Sequence, residues 1–327
     1  MLDVRRLRIL QHLAAYGTVA ATAQALHLTP PAVSQHLAAL RKEAGTPVVE
    51  RRGRTLRLTA AGEVLVAHAE IILAELAAAE SSLAALRSGR HGIVRITAFA
   101  SAARTLITPL WQRLADSDSD SDSAPALSLQ LSVREPDEAL DDLGKRSTDL
   151  ALVHSYTVLP RNFPATCEQA VLMEEPVLLA LHPHQAHTMG LVAGQSADLS
   201  RTAHLPWLTP GPETSCYEMI QRACGAAGFV PDIRARSSDF SVLTALVAAG
   251  AGAALIPRMA LADVTAPLSL HPLVHPVSRT IFTVSRAGTG RHPDLRRVLE
   301  MLHDPATAPD TGDSMRHDQS AETTSTT

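Results

Sequence analysis

Residues 16–59 read YGTVAATAQALHLTPPAVSQHLAALRKEAGTPVVERRGRTLRLT, two helical patterns joined by a short polar turn and followed by an arginine-rich hairpin. Thr18 is a typical N-cap and predicts a helix over about 19–27. Thr29 predicts the cap of the next helix, with Pro30 at its first position, where a missing N–H costs nothing. The chain must turn sharply between these two helices.

A helix before residue 16 completes the predicted unit, with Leu7, Leu10 and Ala14 on one face. In the third helix Val33, Leu37 and Leu40 form a stripe that must face the other two helices. The opposite face is polar near its N-terminal end, which is where helix-turn-helix proteins present their base-reading side chains. Gln35 could bond an adenine edge, Ser34 a base or phosphate, and Ala38 could touch a thymine methyl. The alternative is a three-helix bundle whose polar face is only solvated. The candidate DNA contacts on this helix are Thr29, Pro30, Pro31, Ser34, Gln35, Ala38 and Arg41.

The hairpin over 47–58 alternates apolar and charged residues on both sides of a turn at Gly53, which predicts a two-stranded wing. Arg51, Arg52 and Arg54 lie at its tip, and we add them to the candidate DNA contacts. Residues 1–58 contain nine Lys or Arg and three Asp or Glu, a net charge of +6, so the remainder carries −10 to give the total of −4. A basic head on an acidic body indicates binding to nucleic acid, because basic side chains that neutralise phosphates release condensed counterions.

From Leu7 to Leu65 the chain resembles the winged helix-turn-helix of LysR-type transcriptional regulators. Two departures lie on the predicted DNA-binding face: Pro30 stands where the family usually has Gln, and Gln35 where it usually has Arg or Lys. We therefore expect the fold of the family with an operator of its own. The residues at matching places are Gly17, Thr18, Ala23, Leu26, His27, Pro31, Ala32, Ser34, Leu40, Gly45, Glu50, Arg51, Gly53, Arg54, Leu58, Thr59 and Gly62.

Residues 59–88 are rich in alanine, leucine and glutamate and contain no proline, which predicts one helix of roughly 40 Å. An amphipathic helix of that length needs a partner. It could pack on its own domain, but in the resembled family the corresponding helix pairs with that of another subunit. The resemblance thus implies a dimer or tetramer. The apolar stripe of this helix is Leu65, Ile72, Leu76, Ala79, Leu83 and Leu86.

Beyond a predicted hinge at 89–92, strand and helix patterns alternate, which indicates an α/β fold with mainly parallel sheets. The strand predicted at 127–133 alternates strictly, as is typical of an edge or an interface. DLGKRSTDLALV at 142–153 and ALVAAGAGAALIPR at 245–258 resemble the effector domain of the same family. That resemblance implies two α/β lobes like those of type 2 periplasmic binding proteins, with a ligand between them. We assign lobe I to 93–164 and 271–303, lobe II to 165–270, and a disordered tail to 304–327.

Ligands in such folds lie beyond the carboxyl ends of strands and against helix N-termini, which favour anions. These rules predict a cleft that binds a small carboxylate or another polar metabolite. Each residue alone could be an ordinary helix cap, and their expected convergence is the reason to name them. The candidate effector contacts are Ser101, Glu135, His154, Thr209, Thr214, Ser215 and Ser238.

Three further features invite a functional interpretation that we do not adopt. His182, His184 and His187 could gather a metal ion, but we predict an ordinary loop and no metal site. Cys216 near a helix start could have a lowered thiol pKa, and a thiol sensor remains an alternative. The acidic repeat DSDSDSDS at 116–123 is predicted to be a solvated loop, since it lacks the glycine and glutamate of a calcium loop.

Three functional classes follow. The first is a transcription regulator that binds double-stranded DNA and is modulated by a small effector; the second is a DNA-binding protein whose body only oligomerises. The third, an enzyme, is disfavoured because the sequence contains no set of nucleophile, base and orienting residue. We expect no cofactor, no membrane contact and a cytoplasmic location, since neither a signal peptide nor a membrane-spanning run is present. The family resemblance admits RNA polymerase as a further partner.

Overall fold

The computed structural model of the chain describes residues 1–52, 55–88, 92–119 and 127–304. Four predicted features fall wholly or partly outside these ranges. They are the wing tip at Gly53 and Arg54, the hinge residues 89–91, the second half of the acidic repeat and the tail from 305 onward. Within the described residues, no helix combines the length and apolarity needed to cross a bilayer.

The N-terminal head is a three-helix unit whose boundaries follow its caps. The Thr18 hydroxyl accepts from the Ala21 N–H at 3.1 Å, and Thr29 accepts from the Ala32 N–H at 3.4 Å, as the sequence predicts. Gly17 ends the first helix with φ at 71°, a left-handed conformation that suits glycine. The three helices are α1 (Val4–Tyr16), α2 (Val19–Ala25) and α3 (Pro30–Ala44).

The head core confirms the stripe on α3 and corrects one residue on α1. Val33, Leu37 and Leu40 are buried against the other helices. Ala14, which we placed on the buried face of α1, is exposed, because the buried face of that helix runs instead through Leu13. The wing follows as an antiparallel pair, β1 (Val49–Arg52) and β2 (Thr55–Leu58), with Val49 opposite Leu58.

A single helix, α4 (Ala60–Ser88), connects the head to the body, within one residue of its predicted start. Two ion pairs join it to the body: Glu70 with Arg146 at 3.0 Å, and Glu75 with Arg291 at 2.9 Å. The Tyr16 hydroxyl of α1 also donates to the Lys145 carbonyl at 3.3 Å. Head, connecting helix and body are therefore in direct contact.

The first lobe of the body packs parallel strands between helices. β3 lies between β4 and β5 and is parallel to both, so β4 is an edge strand, as predicted. The helix predicted near 102–115 contains a π-helical turn at Ala103–Ile107 and continues to Ser119, so the first half of the acidic repeat is helical and not the loop we predicted. The elements are β3 (Ile93–Ala98), α5 (Ala100–Ala102), α6 (Thr108–Ser119), β4 (Ser128–Val133), α7 (Pro136–Gly144), β5 (Leu150–Tyr156) and, at the end of the chain, α11 (Pro293–His303).

The second lobe has its own core, centred on Trp207, Leu179 and Leu255. Strands β7 and β8 are parallel neighbours. Trp207 of β7 forms an isolated parallel bridge with Ala253, the residue that precedes β9. The elements are α8 (Pro183–Thr188), β7 (Pro206–Thr209), α9 (Ser215–Ala226), β8 (Asp232–Arg236), α10 (Phe240–Ala248), β9 (Ala254–Pro257) and β10 (Ser269–His271).

Two long strands, β6 (Cys167–Leu181) and β11 (Ser278–Arg286), connect the lobes. The first part of β6 pairs with β11, and its last residues pair with β9 and β10. All of these pairings, and that of β11 with β5, are antiparallel. Our expectation of mainly parallel sheets is therefore wrong for the crossing strands, because a chain that leaves lobe I and returns to it runs in opposite directions.

Gly62 offers a test of how the head packs on α4. A Cβ at this position would lie 2.0 Å from the carbonyl oxygen of Val48, a backbone atom of the segment that leads into the wing. We expect Gly62→Ala to destabilise the head by about 1–3 kcal/mol, since the backbone has to shift. Calorimetry on the full chain should show the head transition at a lower temperature.

The matched control is Gly225→Ala in α9, where a Cβ would meet nothing within 4 Å. There the better helix propensity of alanine should stabilise by up to about 1 kcal/mol. Equal effects of the two substitutions would contradict the close packing at Gly62.

Candidate DNA-binding surface and effector cleft

The polar face of α3 is exposed as the sequence predicts. All of the candidate DNA contacts on this helix are exposed: Thr29, Pro30, Pro31, Ser34, Gln35, Ala38 and Arg41. The Ser34 hydroxyl donates back to the Pro30 carbonyl at 3.1 Å, so its oxygen is left to accept a hydrogen bond. The Gln35 amide extends from the second turn of α3 and can both donate and accept. This face is therefore accessible to a DNA groove.

The wing adds positive charge beside that helix. Arg51 on β1 is exposed, and its neighbour across the ladder is Leu56. Arg57 on β2 is exposed as well and lies opposite Glu50. Arg54 and the side chain of Arg52 lie outside the described part of the chain. Arg51 is thus the candidate wing contact whose position the structure gives.

A buried ion pair links the two strands that connect the lobes. Arg279 on β11 donates from Nε to Glu175 Oε1 on β6 at 2.6 Å, and each side chain is only 2% exposed. The other carboxylate oxygen of Glu175 accepts from the Met259 N–H. Burial opposes the charge of Arg279, but Glu175 and the other groups around the guanidinium outweigh burial and raise the pKa of Arg279. The guanidinium therefore stays charged.

Arg279 also organises lobe I around it. Its Nη2 donates to the Ser101 hydroxyl at 3.1 Å, and its guanidinium carbon lies 4.9 Å from the centre of the Phe99 ring, a cation–π distance. Phe99 in turn packs edge-on against His154, with ring centres 4.5 Å apart. Ser101 and His154, both predicted from the sequence, are thus linked through Arg279 and Phe99.

Two contacts cross the cleft and meet at Ser215, at the start of α9. His154 Nε2 of lobe I lies 2.9 Å from the Ser215 hydroxyl of lobe II. Glu135, at the start of α7, lies near the Ser215 backbone N–H, which favours its carboxylate form. Burial outweighs this interaction and raises the pKa of Glu135. Burial, together with Arg279 and Arg161, lowers the pKa of His154 well below its usual value, so this imidazole is neutral.

The remaining predicted contacts divide into two groups. Thr214 caps α9 by accepting from the Tyr217 N–H at 3.2 Å, next to Ser215. Thr209 is fully buried at the end of β7, and its hydroxyl has no hydrogen-bond partner among the described residues. Ser238 is exposed and donates to Glu213 at 3.0 Å. We expected Ser238 to cap α10, but the cap is Asp239, whose carboxylate accepts from the Ser241 N–H.

The cysteine and histidine alternatives receive no support from the geometry. Burial raises the pKa of Cys216 to about 12, whereas a helix start alone would lower it. A thiol whose pKa is raised does not favour the thiol-sensor alternative, since desolvation outweighs the helix field. The histidine segment is a short helix, α8, and not the loop we predicted, and His182 caps it by accepting from the His184 N–H at 3.1 Å. Within the described ranges, no group of three or more potential ligands is placed to hold a metal ion.

Sequence reasoning did not identify Arg279 and Glu175. The available signal was the charge itself, since Glu175 precedes the buried apolar end of β6 and Arg279 lies in β11, which is mostly buried. A buried charge needs a partner, but a separation of 104 positions in the sequence gave no indication of which one.

The ion pair predicts a large effect from removing one partner. We expect Glu175→Ala to lower the free energy of unfolding by about 3–5 kcal/mol, because it leaves Arg279 buried and uncompensated. Urea denaturation followed by the fluorescence of Trp207 would measure this. The double substitution Glu175→Leu with Arg279→Met should recover much of the loss.

Asp232→Ala is the control, since it breaks an exposed pair with Arg234 that should contribute only about 0–1 kcal/mol. The interpretation fails if Glu175→Ala costs no more than this control.

Comparison with known proteins places both parts of the chain. The family model for the bacterial regulatory helix-turn-helix proteins of the lysR family matches residues 4–63, and that for the LysR substrate binding domain matches residues 87–306. The HTH-type transcriptional regulator BudR of Raoultella terrigena is 27% identical over 310 residues, which cover 92% of this chain and 100% of BudR.

Two solved full-length regulators share the fold. LysG of Corynebacterium glutamicum, solved with its bound effector Arg, has a TM-score of 0.60 at 20% identity and covers 93% of this chain and 97% of its own. CbnR, solved in complex with its target DNA, has a TM-score of 0.51 at 23% identity and covers 94% of this chain and 100% of its own. Because the two matching family models together span well over half of the sequence, the chain belongs to the LysR family of transcriptional regulators.

Proposed function

We propose that this regulator reads DNA with the exposed face of α3 and holds the phosphate backbone with its wing. The observation that carries this proposal is the accessible polar face of α3, with exposed Arg41 and Arg51 beside it. A helix in the major groove reads bases through short side chains near its N-terminal end, where Ser34, Gln35 and Ala38 lie. A basic wing would fix the register on the duplex without reading sequence. Binding to chromosomal DNA would place the protein in the cytoplasm.

Two substitutions separate these roles. Arg51→Ala should weaken binding to all sequences and reduce the dependence of log K on log salt by about 1, because one phosphate contact is lost. Gln35→Ala should change the preference at one base position by about 1–3 kcal/mol. Footprinting and anisotropy titrations on the DNA upstream of its own gene, with random DNA in parallel, would measure both.

Gln24→Leu, an exposed change on α2, serves as the control for general damage to the head. If Arg51→Ala and Gln35→Ala lose equal affinity on specific and random DNA, the proposed division of roles is wrong.

We further propose that a small polar effector binds in the cleft around Ser215. Three groups converge there: the imidazole of His154, the carboxylate of Glu135 and the first turn of α9. Of the effector contacts named from the sequence, Thr209 has a buried hydroxyl with no described partner, and Arg279, which donates to Ser101, would be added to the set. A carboxylate effector would compete with Glu135 for the Ser215 N–H, since the two anions would lie next to the same donor.

An effector shifts the equilibrium between the open and closed arrangements of the lobes only by the difference between its affinities for the two arrangements. LysG provides a relevant comparison, since its structure contains an effector. If the body of this chain only oligomerises, as in the alternative, no metabolite should stabilise it.

A thermal-shift screen with a metabolite panel distinguishes the two cases, because a ligand of the native state must raise the melting temperature. A compound present at about 100 times its Kd should stabilise the chain by about 2.7 kcal/mol. Ser215→Trp should abolish that shift by filling the cleft. Ser200→Trp, on an exposed turn elsewhere in lobe II, should retain it. A shift that survives in Ser215→Trp would place the effector elsewhere.

We also propose that α4 pairs with the same helix of a second copy. Its side chains Ile72, Leu76 and Leu83 are substantially exposed, with Leu76 at 42%, although they repeat at helical spacing. Such a stripe is stable in water only when another surface covers it. A paired head would then meet a DNA site made of two related halves.

Leu76→Glu should therefore convert the dimer or tetramer into smaller species, since a charge in the helix seam is costly to bury. Size-exclusion chromatography with light scattering would measure the mass. Glu80→Gln, one turn further along the same helix, should leave the mass unchanged. An unaltered mass in Leu76→Glu would refute the helix pairing.

A further inference from the structure

The central part of the head carries no acidic side chain, lysine or arginine. Between Arg8 and Arg41 the sequence contains no Lys, Arg, Asp or Glu, and its ionisable residues are three histidines and one tyrosine. This stretch includes all of α2 and most of α3. The basic residues of the head lie on either side of it, in α1, in the last turn of α3 and in the wing. Contacts of α3 with bases must therefore be made by neutral groups.

The N-terminal end of α3 offers few backbone donors to a phosphate. A helix usually presents free N–H groups there, which bind anions. In α3 the first two positions are Pro30 and Pro31, which have no N–H. The N–H of Ala32 is donated to the Thr29 hydroxyl at 3.4 Å, and that of Val33 to the Thr29 carbonyl at 3.1 Å. Among the described groups of this turn, only the N–H and the hydroxyl of Thr29 are left to donate.

The exposed face of α3 presents apolar groups in place of those donors. Pro30, Pro31 and Ala38 are all exposed, and at 100° per residue they lie within an arc of about 100°. Pro31 and Ala38 are seven positions apart, which is about 10.5 Å along the helix axis, or about three base-pair steps. The apolar group that a base edge shows in the major groove is the C5-methyl group of thymine. The face of α3 thus matches thymine methyl groups up to three steps apart.

Ser34 lies between these apolar groups, and its hydroxyl hydrogen is already committed. The hydroxyl donates to the Pro30 carbonyl at 3.1 Å, so its oxygen can only accept. In the major groove the amino groups of adenine and cytosine donate, whereas O6 and N7 of guanine and O4 of thymine accept. Ser34 therefore fits an amino group and is mismatched with the acceptors of guanine.

We propose that α3 reads thymine methyl groups with Pro30, Pro31 and Ala38, and an adenine or cytosine amino group with Ser34. The inference rests on the proposed function of α3 in the major groove and adds the chemistry that it recognises there. Pro30 stands where the resembled family usually has Gln, and exchanges a hydrogen-bonding side chain for an apolar ring. Specificity then comes from neutral contacts, while the flanking basic residues supply affinity for any DNA.

Replacement of single thymines by deoxyuridine tests the methyl contacts, because it removes the methyl group and leaves every hydrogen-bonding group in place. The probe is a duplex selected by the full-length protein from a random-sequence pool, and anisotropy titrations measure its affinity. We expect a loss of about fourfold at two or three positions of each half-site, the value for burial of one methyl-sized group. The loss should be equal at about 50 and 200 mM salt, since a methyl contact releases no counterions.

Protein variants assign these positions to residues. Pro30→Ala and Pro31→Ala should each remove the deoxyuridine effect at one position, because alanine lacks most of the ring. Pro47→Ala, at an exposed proline of the head outside α3, is the matched control and should retain the effect at every position.

A base analogue without its amino group, purine for adenine or 2-pyrimidinone for cytosine, tests the contact of Ser34. At one position it should weaken binding of the unsubstituted protein by about fivefold. In Ser34→Ala the analogue and the natural base should bind equally at that position.

The inference is overturned if deoxyuridine changes the affinity at no position while Gln35→Ala still alters the base preference. It is also overturned if the deoxyuridine effect survives unchanged in both Pro30→Ala and Pro31→Ala. If deoxyuridine, the base analogues and Gln35→Ala all have no effect, α3 does not enter the groove, and the proposed function fails together with this inference.

Discussion

The pairing of Arg279 with Glu175 is the constraint on which the body of this regulator depends. Each residue lies on one of the two strands that connect the lobes, and neither could remain buried and charged without the other. The same guanidinium positions Ser101 and Phe99, and through Phe99 the imidazole of His154. The proposed effector site is therefore built on a pair of charges that sets the relation between the connecting strands.

Closure of the cleft uses weaker and more replaceable contacts. His154 reaches Ser215 through a single hydrogen bond, whose net contribution to stability is about 1 kcal/mol, and Glu135 lies near the Ser215 N–H. A buried ion pair that is costly to break, next to hydrogen bonds that are easily exchanged, suits a protein that responds to a ligand. The lobes can separate at Ser215 while the ion pair between the connecting strands remains intact.

The head could be predicted almost completely from the sequence, and the body only in outline. Short helices can be predicted from local caps such as Thr18 and Thr29, whose hydrogen-bond partners are each three residues away. The antiparallel course of β6 and β11 depends on pairings more than 100 residues apart, which no local pattern contains. Ser238 and Asp239 show the limit at short range, since both are good caps and only the geometry selects Asp239. Ala14 shows that the buried face of a helix is also hard to predict, because moving by one position along a helix turns the side chain by about 100°.

The hydrogen bond between Gly92 and Asp294 fixes the place where the chain enters the body. The Gly92 N–H donates to the Asp294 carboxylate at 2.9 Å, so the chain enters the body at the place where its last helix begins. The ion pairs of α4 with Arg146 and Arg291 also fall on lobe I. These contacts attach the DNA-binding head to lobe I, so a rearrangement of lobe II on effector binding would act on the head through lobe I.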